Sequence, residues 1–196
     1  DMLWGGDVEG FKALAAQNLK MLEEAGARRV VFSCPEGFAL FKSEYPAHFG
    51  ELPFEVVHIT ELLAESGEEG KLSFEEGPEV TVTFQDPCRL GRHMGVYDAP
   101  RALIEAMPGV TLAEMRRSRE RAICCGVGGW TNCTSFTKQL QSDRLREARA
   151  TGASVLVTAC PKCEIHFNCT LNDSKLQDEV GLEITDLMAL AASRLG

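Results

Sequence analysis

Cysteine is the residue that could do chemistry here. The chain has eight cysteines in 196 residues, and five of them form a pattern. Cys88 comes first, then the adjacent pair Cys124-Cys125, then Cys160-Pro161-Lys162-Cys163. Soft thiolates select iron–sulfur clusters, zinc or copper(I) over hard cations. A single zinc ion takes about four such ligands, and an ordinary iron–sulfur cubane also uses about four cysteines. Five, with two of them adjacent, exceed both counts. The residues alone leave three readings open. The set could hold an iron–sulfur group. It could hold zinc in a structural or interaction domain. Or Cys160 and Cys163, at a helix start that lowers a thiol pKa, could form a thiol–disulfide catalyst.

Neighbouring residues suit such a site. Gly126-Val127-Gly128-Gly129 follows the pair, and glycines let backbone N–H groups approach sulfur closely; a tight turn before a helix starting near Thr131 is the plainer use of the same loop. Arg89 and Arg92 are placed to offset negative charge or to meet a partner's acidic group, unless they are only solvated surface charges. His93 stands near the site or is simply exposed, while His58 and His166 read as structural. Cys133 and Cys169 fall outside the five-residue pattern, near the starts or along the helices that follow it, and Cys34 has no partner two residues on. No Ser-His-Asp set and no Gly-x-x-x-x-Gly-Lys loop is present, which excludes ordinary hydrolase and kinase readings.

The elements that must position these cysteines repeat along the chain. Cys34-Pro35 matches Cys160-Pro161 at an offset of 126, as Gly26-Ala27 matches Gly152-Ala153 and Trp4 matches Trp130. Further on, Ile59-Thr60-Glu61-Leu62 matches Ile184-Thr185-Asp186-Leu187 at an offset of 125. Each copy reads as a helix (Phe11, Leu14, Ala15 and Leu22 at helical spacing) stopped by Gly26 or Gly152. A short strand follows, Val30–Phe32 or Val155–Val157, apolar on both faces as in a sheet covered by helices. The strand runs into Cys-Pro and a second helix. A last strand, Glu55–Val57 or Leu182–Ile184, leads to a helix capped by Thr60 or Thr185. The second copy is preceded by a strand at Val80–Phe84 delivering Asp86-Pro87-Cys88, a helix near Ala99–Met107, and a strand near Val110–Met115. This alternation predicts an α/β fold of two pseudo-repeated Rossmann-like lobes, with mostly parallel sheets and cysteines at strand ends. In the first copy Gly37 stands where Cys163 stands in the second, and the cysteine pair would fall before residue 1. The expectation is therefore a piece of a longer polypeptide, or one whose first half comes from elsewhere.

The formal net charge is −9, which argues against nucleic acid as a partner, since phosphate binding needs a basic face. No apolar run approaches the roughly 20 residues of a membrane-spanning helix, so membrane contact is expected only through a partner subunit. No basic segment and long apolar stretch open the sequence. Clustered cysteines in such a chain read as metal ligands in a reducing, cytoplasmic compartment.

Asp86-Pro87-Cys88-Arg89-Leu90-Gly91-Arg92, Cys124-Cys125-Gly126 and Ala159-Cys160-Pro161-Lys162-Cys163 resemble the cysteine-rich CCG domain. That family occurs in the B and D subunits of heterodisulfide reductase and in the iron–sulfur subunits of glycolate and lactate oxidases. Residues Ser66–Pro78, rich in Glu and Gly, read as a solvated link between the copies. The resemblance implies a complete CCG repeat over residues 79–196 and the degenerate C-terminal half of a first repeat at 1–66, with 67–78 as the linker. It further implies that Cys88, Cys124, Cys125, Cys160 and Cys163 hold a non-cubane [4Fe-4S] cluster, some CCG units holding zinc instead. The chain would then be a subunit or fragment of a heterodisulfide reductase-like oxidoreductase. It would take electrons from ferredoxin-like or flavin subunits and pass them to a quinone-linked partner or a disulfide substrate, in the cytoplasm or at the cytoplasmic face of a membrane complex.

Overall fold

A computed structural model describes residues 2–126 and 134–195. The first half runs α1 (Val8–Glu24), β1 (Arg29–Phe32), α2 (Pro35–Ala39), α3 (Tyr45–Phe49), β2 (Glu55–His58) and α4 (Ile59–Glu68), with a π-helical stretch, Leu40–Glu44, joining α2 to α3. The second half runs β3 (Val80–Gln85), α5 (Asp98–Glu105), β4 (Val110–Leu112), α6 (Ser135–Arg149), β5 (Val155–Thr158), α7 (Pro161–Leu171), α8 (Ser174–Val180), β6 (Glu183–Asp186) and α9 (Leu187–Ala192).

Among the described residues every strand pairing is parallel. β1 pairs with β2, and the second sheet has the order β4-β3-β5-β6. The chain leaves β3 toward β4 on one side and returns to β5 on the other. The strand order therefore reverses between β3 and β5, and the carboxyl ends of those two strands open onto the crevice where doubly wound sheets bind ligands. The expected α/β fold with parallel sheets is what forms.

Local signals account for most boundaries. Asp7 caps α1 by accepting from the Gly10 N–H, and Gly26 ends it with φ +66° while the Ala27 N–H donates to the Leu22 carbonyl. Gly152 ends α6 in the same left-handed region, at φ +83°. Pro35 and Pro161 each open a helix directly after a cysteine.

Several expectations are corrected. Leu14 points to solvent on α1, whereas Phe11 and Ala15 are buried. β1 is not covered on both faces: Val31 is 40% exposed, because a two-stranded sheet has too few helices to bury it. The caps of α4 and α9 are His58 and Asp186, not Thr60 and Thr185. Thr60 lies inside the first turn of α4 and Thr185 lies in β6. The strand registers agree, since Val155 pairs with Glu183 as Arg29 pairs with Glu55. His58 and Asp186 thus occupy equivalent places 128 positions apart, and the Ile-Thr-acid-Leu match at 125 is not a structural equivalence. α6 runs from Ser135 with Thr134 as its cap, and the expected helix start near Thr131 lies outside the described residues.

The segment between the halves is more than a solvated link. Leu72 and Phe74 pack on the main core, and the Glu75 N–H donates to the Arg194 carbonyl at 2.8 Å. That core is shared: Phe38, Phe54 and Val56 from the first half pack with Val82, Phe84, Leu90, Leu103 and Val157 from the second. The halves are therefore held together by buried apolar surface.

Candidate metal centre

Three segments deliver the five predicted cysteines. Cys88 follows β3 through Gln85-Asp86-Pro87, and Cys160 follows β5 through Thr158-Ala159; Gln85 pairs with Thr158 across those strands. Cys160 stands at the N-cap of α7, with Pro161 behind it and Cys163 in the first turn. Cys124 and Cys125 come from a stretch after Arg119–Arg121, itself a short 3-10 turn. All five line a single pocket, together with Pro87, Arg89, Lys162 and Glu36. Cys125, Cys160 and Cys163 are buried against Leu145, Leu156 and Phe167, while Cys88 and Cys124 are half-exposed at the mouth.

The thiols are hydrogen-bonded to one another. The Cys88 thiol is raised above its usual pKa, first by its bond to Cys124 and then by burial. Cys163 is raised by its bonds to Cys125 and Cys160 and by burial. Cys160 is lowered, first by the Cys163 hydrogen bond and then by the backbone N–H groups of Cys163 and Lys162 at the start of α7. Thiolates this crowded repel one another, so ionising the whole set calls for positive charge among them. Among the described residues no three Cys, His, Asp or Glu side chains converge as a preformed site for one metal ion. Five soft donors distributed around a common space fit a polynuclear group of iron and sulfide better than one tetrahedral ion. Burial of Cys160 and Cys163, at 5% and 3% exposure, also removes the access that a thiol–disulfide nucleophile needs.

The remaining cysteines are elsewhere. Cys169 is exposed on α7 and accepts from Lys138 Nζ at 3.3 Å, away from the pocket. Cys34 stands at the N-cap of α2 but does not line the pocket. At its would-be partner position stands Gly37, where an added Cβ would lie 3.0 Å from the Phe32 ring, a tight contact. Cys133, Trp130 and Val127-Gly128-Gly129 lie outside the described residues.

A buried polar network holds the cysteine segments, and it escapes a motif search. Asp86, two residues before Cys88, accepts from both terminal nitrogens of Arg101 at 2.8 and 3.0 Å and from the Arg119 N–H at 2.7 Å. Arg101 also binds Glu114. Gln85 donates to the Ile123 carbonyl at 3.0 Å, just before the cysteine pair, and accepts from Arg144 at 2.6 Å. Arg144 donates to the Arg117 carbonyl at 2.8 Å. Arg92 donates to the Ala122 carbonyl, so it fixes the loop rather than facing a cluster. These bonds tie an irregular segment to β3, α5 and α6, and so set where Cys124 and Cys125 stand. The only sequence signals were charged residues placed on otherwise apolar helix faces, Arg101 on α5 and Arg144 on α6.

His93 is exposed beside Arg89, at 3.4 Å. His58 is buried and its pKa is lowered to about 4 by burial; its Nδ1 accepts from the Thr60 N–H to cap α4. His166, one turn beyond Cys163 on α7, is lowered by burial and by Lys138 and Lys162.

Residues 82–168, which contain all five cysteines, match the family described as a cysteine-rich domain, CCG. The chain is 37% identical over 188 residues to the D subunit of the dihydromethanophenazine:CoB–CoM heterodisulfide reductase of Methanosarcina barkeri, covering 94% of this chain and 45% of that protein. It is 37% identical over 183 residues to the "Probable iron-sulfur-binding oxidoreductase FadF" of Bacillus subtilis, covering 91% of this chain and 26% of the relative. It is 35% identical over 162 residues to the EtfAB:quinone oxidoreductase of Syntrophomonas wolfei, covering 78% and 22%. The chain spans less than half the length of these curated relatives. No helix among the described residues is long and apolar enough to cross a membrane. Residues 82–168 are thus a cysteine-rich domain of the CCG family, in a chain related along most of its length to the D subunit of heterodisulfide reductase.

Proposed function

We propose that Cys88, Cys124, Cys125, Cys160 and Cys163 hold a non-cubane [4Fe-4S] cluster, and that this chain is the part of an oxidoreductase complex in which that cluster relays electrons. The observation that carries the reading is the convergence of five thiols from three distant segments on one pocket at the β3–β5 switch point. Relatives named for iron–sulfur binding and for heterodisulfide and quinone oxidoreduction support it.

When bound, the cluster supplies reversible electron storage. The protein's own residues do the rest. The apolar floor of Leu145, Leu156 and Phe167 limits water on one side. Backbone N–H groups at the start of α7 donate toward sulfur, and Arg89 and Lys162 bring positive charge to the mouth. The half-exposed Cys88 and Cys124 mark the side from which electrons enter or leave. The donor is a ferredoxin-like or flavin subunit, and the acceptor is a quinone-linked partner or a disulfide. Residues 79–196 form the complete unit, 67–78 the link, and 1–66 a degenerate half. Gly37, packed against Phe32, stands where the matching thiol would be, so the first half lacks that ligand, which favours relay over disulfide cleavage between two paired clusters.

Anaerobic purification followed by iron, acid-labile sulfide and zinc analysis tests the proposal. Electron paramagnetic resonance after oxidation, with and without added thiol, completes the test. The expected protein is brown, carries iron and sulfide in equal amounts, and gives a cluster signal. A colourless protein holding one zinc would overturn it. A signal that changes on adding thiol would identify a disulfide as the acceptor.

A further inference from the structure

Glu36 belongs to the first half, which lacks the cysteine set, yet it lines the five-cysteine pocket of the second. Its Oε1 lies 3.2 Å from Lys162 Nζ and its Oε2 lies 3.8 Å from Arg89 Nε. All three side chains are largely withdrawn from water, at 22%, 13% and 17% exposure. Glu36 and Lys162 are equivalent in the repeat, each directly after the proline that opens its helix. The degenerate half thus presents an acid where the complete half presents a base, and the two meet across the junction. Arg89 is further held by Trp4, whose ring centre is 4.7 Å from its guanidinium carbon.

We infer that Glu36 is a positioning residue: from the degenerate half it fixes Lys162 and Arg89 at the mouth of the thiol pocket and sets the charge felt by the group bound there. The inference rests on the electron-transfer reading for its redox consequence but not for its geometry. Two cations beside a cluster stabilise its more negative, reduced state. One carboxylate between them offsets part of that field, and at this depth solvent screens it weakly. Removing the carboxylate removes that offset, so the bound group becomes easier to reduce.

The test is a redox titration of anaerobically purified protein, followed by electron paramagnetic resonance, for the wild type, Glu36→Gln, Glu36→Asp and Glu105→Gln. Glu105 is exposed at the end of α5 remote from the carboxyl ends of the strands. Glu36→Gln is expected to raise the midpoint potential, shifting the reduced-to-oxidised ratio at fixed poise by up to about tenfold, ~59 mV for a one-electron couple. Glu36→Asp should recover part of the shift, and Glu105→Gln should leave the potential unchanged. Equal potentials in iron-loaded wild type and Glu36→Gln would overturn the inference and leave the electron-transfer reading standing. Protein that binds no iron would overturn that reading instead. In that case urea unfolding of Glu36→Gln, Lys162→Gln and the double variant decides the geometry. Non-additive losses, coupled by a few-fold in the unfolding constant, support the pairing, and additive losses overturn it.

Discussion

Glu36 and Lys162 stand 126 positions apart in the sequence, one repeat length, and their side chains meet at 3.2 Å. Equivalent positions of a repeat can touch only near the axis that relates the two copies. The five-cysteine pocket therefore lies beside the junction of the halves, and the first half forms part of its wall. The shared core of Phe38, Phe54, Val82 and Phe84 packs across that junction.

Substituting serine at Cys124 or Cys163 is expected to abolish the native cluster signal, because each removes a soft donor from the pocket. Cys34→Ser and Cys169→Ser should keep the signal, since neither thiol lines the pocket. Iron content and resonance spectra of the four variants check this. Loss in all four would contradict the assignment of the ligands.

Arg101→Leu leaves Asp86 buried without its forked partner. Only the Arg119 N–H bond would remain from the described set. Breaking such a buried pair costs about 3–5 kcal/mol. Urea unfolding should show that loss. Cluster retention should fall with it, because Asp86 anchors the turn into Cys88.

Gly126→Ala should destabilise the loop after the cysteine pair. Gly126 has φ +86°, and an added Cβ would lie 2.8 Å from the Thr137 carbonyl oxygen and 3.0 Å from Gln141 Cγ. The left-handed backbone alone costs a non-glycine residue about 1 kcal/mol or more. Thermal unfolding and iron content of the purified variant measure the two effects, and an unchanged melting temperature would contradict the geometry.

His58 should make the fold acid-sensitive. Its pKa falls from 6.5 to about 4 in the folded protein, chiefly through burial. Below the unfolded value the unfolded chain takes up a proton that the folded chain refuses. Stability is therefore full above about pH 6.5 and declines as pH falls toward about 4. The total loss approaches about 3 kcal/mol. His58→Asn keeps an acceptor for the Thr60 N–H without the titration. The difference between the two proteins across that pH window, measured by urea unfolding, should carry this slope; parallel curves would exclude His58 as its source.

The sequence by itself determined the identity and spacing of the five cysteines, the Cys-Pro helix starts, the glycine stops and the alternation of strands and helices. These are local properties: a proline, a left-handed glycine or a run of apolar residues states its preference within a few positions. It also showed the repeat, but misplaced its register in the last strand, because Ile-Thr-acid-Leu is a helix start in one copy and a strand end in the other. Pairing with β1 or β5 decides that, and pairing is non-local. Only the tertiary structure decided that Asp86, Arg101, Gln85 and Arg144 lock the cysteine loops, since their partners are 15 to 59 positions away. It alone brought Glu36 to Lys162. A contact across 126 positions depends on how two lobes bury a common apolar core, and nothing in the neighbourhood of either residue encodes it.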